Sequence, residues 1–277
     1  MKQPTDKQQI DLQPVDARHA RLTTAWLRLG VVSLGLAGLF AILLVLSRMP
    51  GSDSFFPWVD FFRTALVVHV DQSVLIWFLT MAAVVWSLVI PADSRLLALQ
   101  RGAFGLALSG TVGVALSAFV GDGAPLMNNY VPVLQRPFFF VSLGIFGLGI
   151  ALQSLAALSA ARGAFGGGQV QLPALAGLTI SVAVIVALAA LATAWVQMPA
   201  GVEGQGYYEY LFWGAGHTLQ FAYTQLLLLA WLLLAVHSGV ALPWKRRWII
   251  GLLLLGVAPV LLTPLIYLLY DTCLLYT

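Results

Sequence analysis

The chain has 277 residues, 60% of them hydrophobic and 9% charged. Soluble domains carry about 25% charged residues, so the composition excludes a soluble globular protein and specifies one embedded in a lipid bilayer. The formal charge of +3 indicates no nucleic-acid partner, because the cations flank apolar segments, where they orient a membrane chain. The single cysteine, Cys273, excludes an internal disulfide and any multi-cysteine metal site.

Residues 1–25 are polar and of mixed charge, too long and too acidic for the leading region of a secretory signal. They read as a cytoplasmic tail, with His19 solvated. A membrane helix needs about 20 apolar residues. Seven segments qualify, at 26–46, 61–90, 98–120, 131–158, 173–198, 211–236 and 248–270. Turn formers separate them, among them Pro50-Gly51-Ser52-Asp53, Pro91-Ala92-Asp93, Gly121-Asp122-Gly123 and Gly166-Gly167-Gly168. The expected architecture is an all-α, polytopic membrane helix bundle of one domain (26–270). Gly102/Gly105, Gly110/Gly113 and Gly144/Gly147 are read as close-packing positions between helices.

On the side of the N-terminus lie Lys2, Lys7, Arg18, Arg21, Arg28, Arg95, Arg101, Arg162, Lys245, Arg246 and Arg247. The other side has Arg48, Arg63 and Arg136. The positive-inside rule then places the N-terminus in the cytoplasm.

The second and sixth spans run in the same direction, and each carries a histidine near its outer end. His69 lies 8 residues after Phe61, about 12 Å down a helix, and His217 lies 6 residues after Leu211, about 9 Å down. Gln72, Ser73 and Thr80 follow on the face of His69, and Gln220, Thr224 and Gln225 on that of His217. Two polar stripes on apolar helices point inward, toward a cofactor, water or another helix, and imidazole suits heme iron and copper. Asp71 lies about 200° around the helix from His69. Its carboxylate is expected to pair with Arg63 or Arg136, or to handle protons. Arg136 is also a candidate to neutralise a heme propionate. Glu203 and Glu209 are expected to face water, and His237 to lie at the inner interface.

The stretch Phe212-Trp213-Gly214-Ala215-Gly216-His217 resembles the sixth-helix signature of heme–copper oxidase subunit I. There, a Trp four residues before a Gly-His pair introduces a copper-ligating histidine. Residues 64–78, around His69, look like that family's second helix. The run Met127-Asn128-Asn129-Tyr130-Val131-Pro132-Val133-Leu134 is similar to the start of the fourth helix in the divergent, C-type and nitric oxide reductase-like branch. The resemblance implies His69 as an axial ligand of a low-spin heme, His217 as a copper ligand and Trp213 packed beside the centre. It further implies a high-spin heme facing copper, partner oxidase subunits, and cytochrome c or quinol as electron donor. The implied reaction is reduction of oxygen to water, or of nitric oxide, in the bacterial inner membrane.

The chain departs from the pattern in places. Phe221 stands four residues after His217, where several branches have Tyr, and Tyr223 faces elsewhere. Neither a His-His nor a His-x-His pair occurs, although the family's roughly twelve-span subunit has both. The ending Cys273-Leu274-Leu275-Tyr276-Thr277 reads as a translated adapter scar over 271–277. The expectation is therefore an N-terminal fragment, inactive alone, with a degenerate complete paralogue as the alternative. Two other readings are a proton-coupled transporter using His69, Asp71 and His217, and a non-catalytic scaffold subunit.

Overall fold

A computed structural model describes residues 17–52, 55–56, 60–91, 93–165, 170–240 and 244–269. The turn at 166–168 and the segment 271–277, expected above to be a scar, lie outside them. The chain is an all-α bundle, about 79% helical. Among the described residues, six helical stretches are long and apolar enough to cross a membrane: Ala17–Leu46, Phe61–Val89, Pro137–Phe165, Leu172–Val196, Gly204–His237 and Arg246–Leu269. Helix α4 (Ser94–Leu116) carries Gln100 and Arg101 and is the seventh candidate.

Helix α1 (Ala17–Leu46) begins inside the segment expected to be a polar tail. His19, Leu22, Trp26 and Leu29 fall on one face and are buried, and Trp26 meets Phe104 edge to face at 5.2 Å. This corrects the expectation of a solvated His19: helical phase carries it inward with the apolar residues one and two turns on. The opposite face leaves Val31, Val32, Leu39, Ile42 and Val45 exposed, as suits contact with lipid.

The second span is one continuous rod in three parts: α2 (Phe61–Val70), a π-helical turn (Asp71–Ile76) and α3 (Trp77–Val89). α4 opens on the Asp93 carboxylate, which accepts from the amides of Arg95 (2.7 Å) and Leu96 (3.2 Å), an N-cap. A short antiparallel hairpin follows, pairing Pro125–Leu126 (β1) with Val133–Leu134 (β2). The fourth span was expected from 131. Instead α5 (Pro137–Ala157) starts at a proline in its first turn. Pro132 pushes Val131 toward extended backbone, and the hairpin takes up residues 125–134.

α4 and α5 pack as an intimate pair. A Cβ at Gly110 would lie 2.4 Å from the Phe146 amide nitrogen, and one at Gly149 would lie 2.6 Å from the Ala103 carbonyl oxygen. Gly102, Gly105, Gly144 and Gly147 face open space. Of the three glycine pairs singled out in the sequence, only Gly110/Gly113 performs close packing, with Gly149 opposite.

After α6 (Ala160–Phe165), helix α7 (Leu172–Val196) packs on α8 (Gly204–His237). The Trp86 indole donates to the Gly177 carbonyl at 3.0 Å, joining α3 to α7. The seventh span is broken into α9 (Arg246–Leu255), a 3-10 turn (Pro259–Leu262) and α10 (Thr263–Leu269). Pro259 cannot donate the amide a continuous helix needs. α10 is anchored by the Tyr267 hydroxyl, which donates to Tyr210 O (3.1 Å) and accepts from the Gly214 amide (2.7 Å).

Candidate functional site

His69 occupies the last turn of α2 and is half-buried. Its Nδ1 lies 2.8 Å from the Ala37 carbonyl oxygen on α1. A carbonyl only accepts, so Nδ1 carries the proton and Nε2 keeps its lone pair. Fixing a ring through one nitrogen is how a ligating histidine is oriented.

The helix changes character immediately after His69. In the π-turn the angular arithmetic of an α-helix fails, and the expected stripe is redistributed. Gln72 is fully buried between α1 and α4: Ser33 Oγ donates to its Oε1 at 2.7 Å, and its Nε2 donates to Thr111 O at 3.1 Å. Ser73 Oγ returns to the His69 carbonyl at 2.7 Å, and Thr80 Oγ1 to Trp77 O at 2.8 Å. These polar groups satisfy backbone and helix contacts.

Asp71, the first residue of the π-turn, is 1% exposed, and neither carboxyl oxygen has a hydrogen-bond partner among the described residues. The expected pairing does not form. Arg63 sits 3.5 Å from Asp60 at the surface. Arg136 donates from Nη1 to Ser117 O (2.6 Å) and Ala118 O (3.2 Å), and from Nε to Gly123 O (3.1 Å). It is a cationic cap on the carbonyls that end α4, with Nε and Nη1 given to backbone oxygens.

His217 sits in the middle of α8 and is exposed in the described chain. Its Nδ1 is 2.9 Å from the carbonyl of Trp213 one turn earlier, whose ring lies 4.5 Å from the imidazole. Nδ1 again carries the proton, and Nε2 accepts from the Tyr130 hydroxyl at 2.8 Å. Gly216 makes this approach possible, since a Cβ there would lie 2.2 Å from Tyr130 Cγ. The hairpin connection is pinned again beside it. The Asn129 amide and side chain donate to the Glu209 carboxylate at 3.2 and 3.1 Å. Burial, and secondarily the Glu209 charge, raises the Tyr130 phenol above its ordinary value.

Tyr130 is the residue that sequence reasoning left without a role. Glu209, expected in water, belongs to α8 and holds this connection. Glu203 is exposed, and so is His237, whose Nδ1 lies 2.8 Å from Leu233 O. Gln220 and Thr224 are exposed with His217, so that stripe faces out of the described bundle. Gln225 is buried, donating to Leu253 O at 3.0 Å on α9. Phe221 is 37% exposed and Tyr223 is buried, stacked on Phe78 at 4.5 Å.

No described hydrogen bond or ring contact joins His69 to His217, and no group of three or more His, Cys, Asp or Glu side chains forms a metal cage among the described residues. At His69 the nitrogen left for a heme iron would be Nε2, because Nδ1 is given to Ala37 O. His217 offers copper a nitrogen only when the Tyr130 hydroxyl or the Trp213 carbonyl gives way. An apolar cavity of about 510 Å³ is lined by Gly216 together with Leu75, Leu79, Phe140, Gly147 and Leu219 among others. It has room for an apolar group and supplies no titratable side chain.

Among known proteins, the chain is 32% identical over 243 residues to an uncharacterized protein of Rickettsia prowazekii (strain Madrid E), covering 76% of this chain and 46% of that one. It is 33% identical over 229 residues to an uncharacterized protein of Aquifex aeolicus (strain VF5), covering 83% and 56%. No family model matches the chain, and no solved structure matches it. The chain spans about half the length of these curated relatives.

Proposed function

We propose that this multi-pass membrane protein is a portion of a heme–copper oxidase-like subunit I. In this reading His69 is an axial ligand to a low-spin heme and His217 contributes to a copper centre completed by further spans. One observation carries it: on two spans of the same direction, each histidine has Nδ1 fixed on a backbone carbonyl, which leaves Nε2 as the acceptor nitrogen, without a described partner at His69 and bonded to the Tyr130 hydroxyl at His217. The exposed stripe of His217, Gln220 and Thr224 also supports it, because a polar stripe in hydrocarbon is costly without protein or water against it. Relatives roughly one and a half to two times as long have room for further spans. The reaction class is reduction of oxygen or nitric oxide with electrons from cytochrome c or quinol, in the bacterial inner membrane with the N-terminus cytoplasmic.

The test is heme and copper content of the protein purified from its native membrane, with His69→Ala and His217→Ala variants. The first change should abolish the low-spin heme spectrum and the second should deplete copper. A wild-type protein free of both heme and copper refutes the proposal.

Asp71 favours a second reading. A buried carboxyl without a partner among the described residues, on a π-turn inside a span, is a feature of proton-coupled transport. That reading requires a pH-driven flux in vesicles that Asp71→Asn abolishes. Flux unchanged in the variant rejects it.

A further inference from the structure

We propose that the groove between α8 and α9 is a binding site for an anionic phospholipid. Its walls are Leu228, Trp231, Leu232 and Ala235 on α8 against Ile249, Leu252 and Leu253 on α9, with Trp244 alongside, enclosing about 280 Å³. The α8 residues follow one another at helical spacing, so the groove runs about 10 Å along the helix.

Its charge is one-sided. Lys245, Arg246 and Arg247 are consecutive at the start of α9, and no Asp or Glu occurs between Glu209 and Asp271. The Arg246 guanidinium donates to the Val170 carbonyl, tying α9 to the segment before α7. Lys245 and Arg247 are exposed, and the Arg247 guanidinium lies 5.4 Å from the centre of the Trp248 ring. Trp231, Trp244 and Trp248 are each more than half exposed, and Trp is the residue type enriched where membrane helices meet the headgroups.

Cations beside an apolar slot between membrane helices match a phosphate headgroup attached to an acyl chain. An extended peptide would leave backbone N–H and C=O groups unsatisfied in the slot, whereas an acyl chain has none. The site is independent of the redox reading, because it uses neither His69 nor His217.

The full chain in nanodiscs of phosphatidylcholine should show stronger tryptophan quenching by brominated phosphatidylglycerol than by brominated phosphatidylcholine at equal mole fraction. Replacing both exposed cations (K245Q/R247Q) should weaken the phosphatidylglycerol effect about 25-fold in apparent affinity, about fivefold per cation, and leave the phosphatidylcholine signal unchanged. Ala235→Trp should fill the slot and remove the preference. Equal quenching of the wild type by the two lipids overturns the proposal, as does an unchanged K245Q/R247Q variant. Absence of quenching by either lipid also overturns it, since the groove is then covered by a second copy or another protein helix.

Discussion

Replacing Gly216 by alanine tests how the hairpin connection is held against α8. The new Cβ would lie 2.2 Å from Tyr130 Cγ and 2.3 Å from Cδ1. An ordinary carbon–carbon contact is about 3.5 Å, so the ring must withdraw by about 1.3 Å. The atoms met first are near the base of the side chain, so rotation at its far end gives no relief. A withdrawal of that size stretches the 2.8 Å bond from Tyr130 to His217 beyond hydrogen-bonding range. Overpacking costs about 1–3 kcal/mol and the lost bond about 0.5–1.5 kcal/mol, while alanine returns nearly 1 kcal/mol as a better helix former than glycine. The expected net loss is about 1–3 kcal/mol, or roughly 2–4 °C in Tm per kcal/mol for a chain of this size. Tyr130→Phe removes the bond without the clash and should cost only the hydrogen-bond portion. Both variants free His217 Nε2, so modification of His217 by diethylpyrocarbonate, followed on its peptide by mass spectrometry, should accelerate in both. A Gly216→Ala protein with wild-type Tm and a wild-type rate of His217 modification refutes the geometry.

Three further outcomes follow from particular contacts. Gly110→Ala should destabilise by about 1–3 kcal/mol, because its Cβ meets Phe146 backbone. Gly102→Ala, with open space around it, should be neutral or stabilising by up to about 1 kcal/mol in the same thermal assay; equal effects would contradict the assigned α4–α5 interface. Arg136→Gln should lower stability by about 2–4 kcal/mol, since charge-assisted bonds to three carbonyls are lost. Arg136→Lys should rescue only part, lacking the forked donor geometry, and full rescue would show that charge alone matters. The raised Tyr130 phenol means that the stability it contributes is fully present below its ordinary value of about 10 and is lost as pH rises through the higher folded value. Glu209→Gln removes the secondary cause of that rise, so the phenolate absorbance transition assigned by difference to Tyr130 should move to lower pH. An unmoved transition shows that Glu209 exerts no field at the phenol.

His19 and Asp71 show how the fold alters a residue's reading. His19 was assigned to water because its neighbours in sequence are polar, yet α1 extends over it and helical phase buries it. Asp71 was given Arg63 or Arg136 as a partner because they share a side of the membrane. Those cations instead serve Asp60 and the end of α4, and the carboxyl remains unpaired among the described residues. The stripe arithmetic failed at the same place for one reason: the π-turn inserts a different number of residues per turn after Val70. No local composition marks that turn.

By itself, the sequence determined a multi-pass helical bundle, the approximate position of its apolar segments and the histidines worth attention. Hydrocarbon forces backbone groups to bond within a helix, so length and apolarity alone specify a span. The tertiary structure decided which groups meet. Tyr130 reaches His217 from a loop 87 residues earlier, Gly110, Gly113 and Gly149 rather than Gly102, Gly105, Gly144 and Gly147 bring α4 and α5 together, and the final span breaks and is anchored to α8 by Tyr267. These contacts depend on how helices cross and where loops fold back, which no periodicity within one segment encodes.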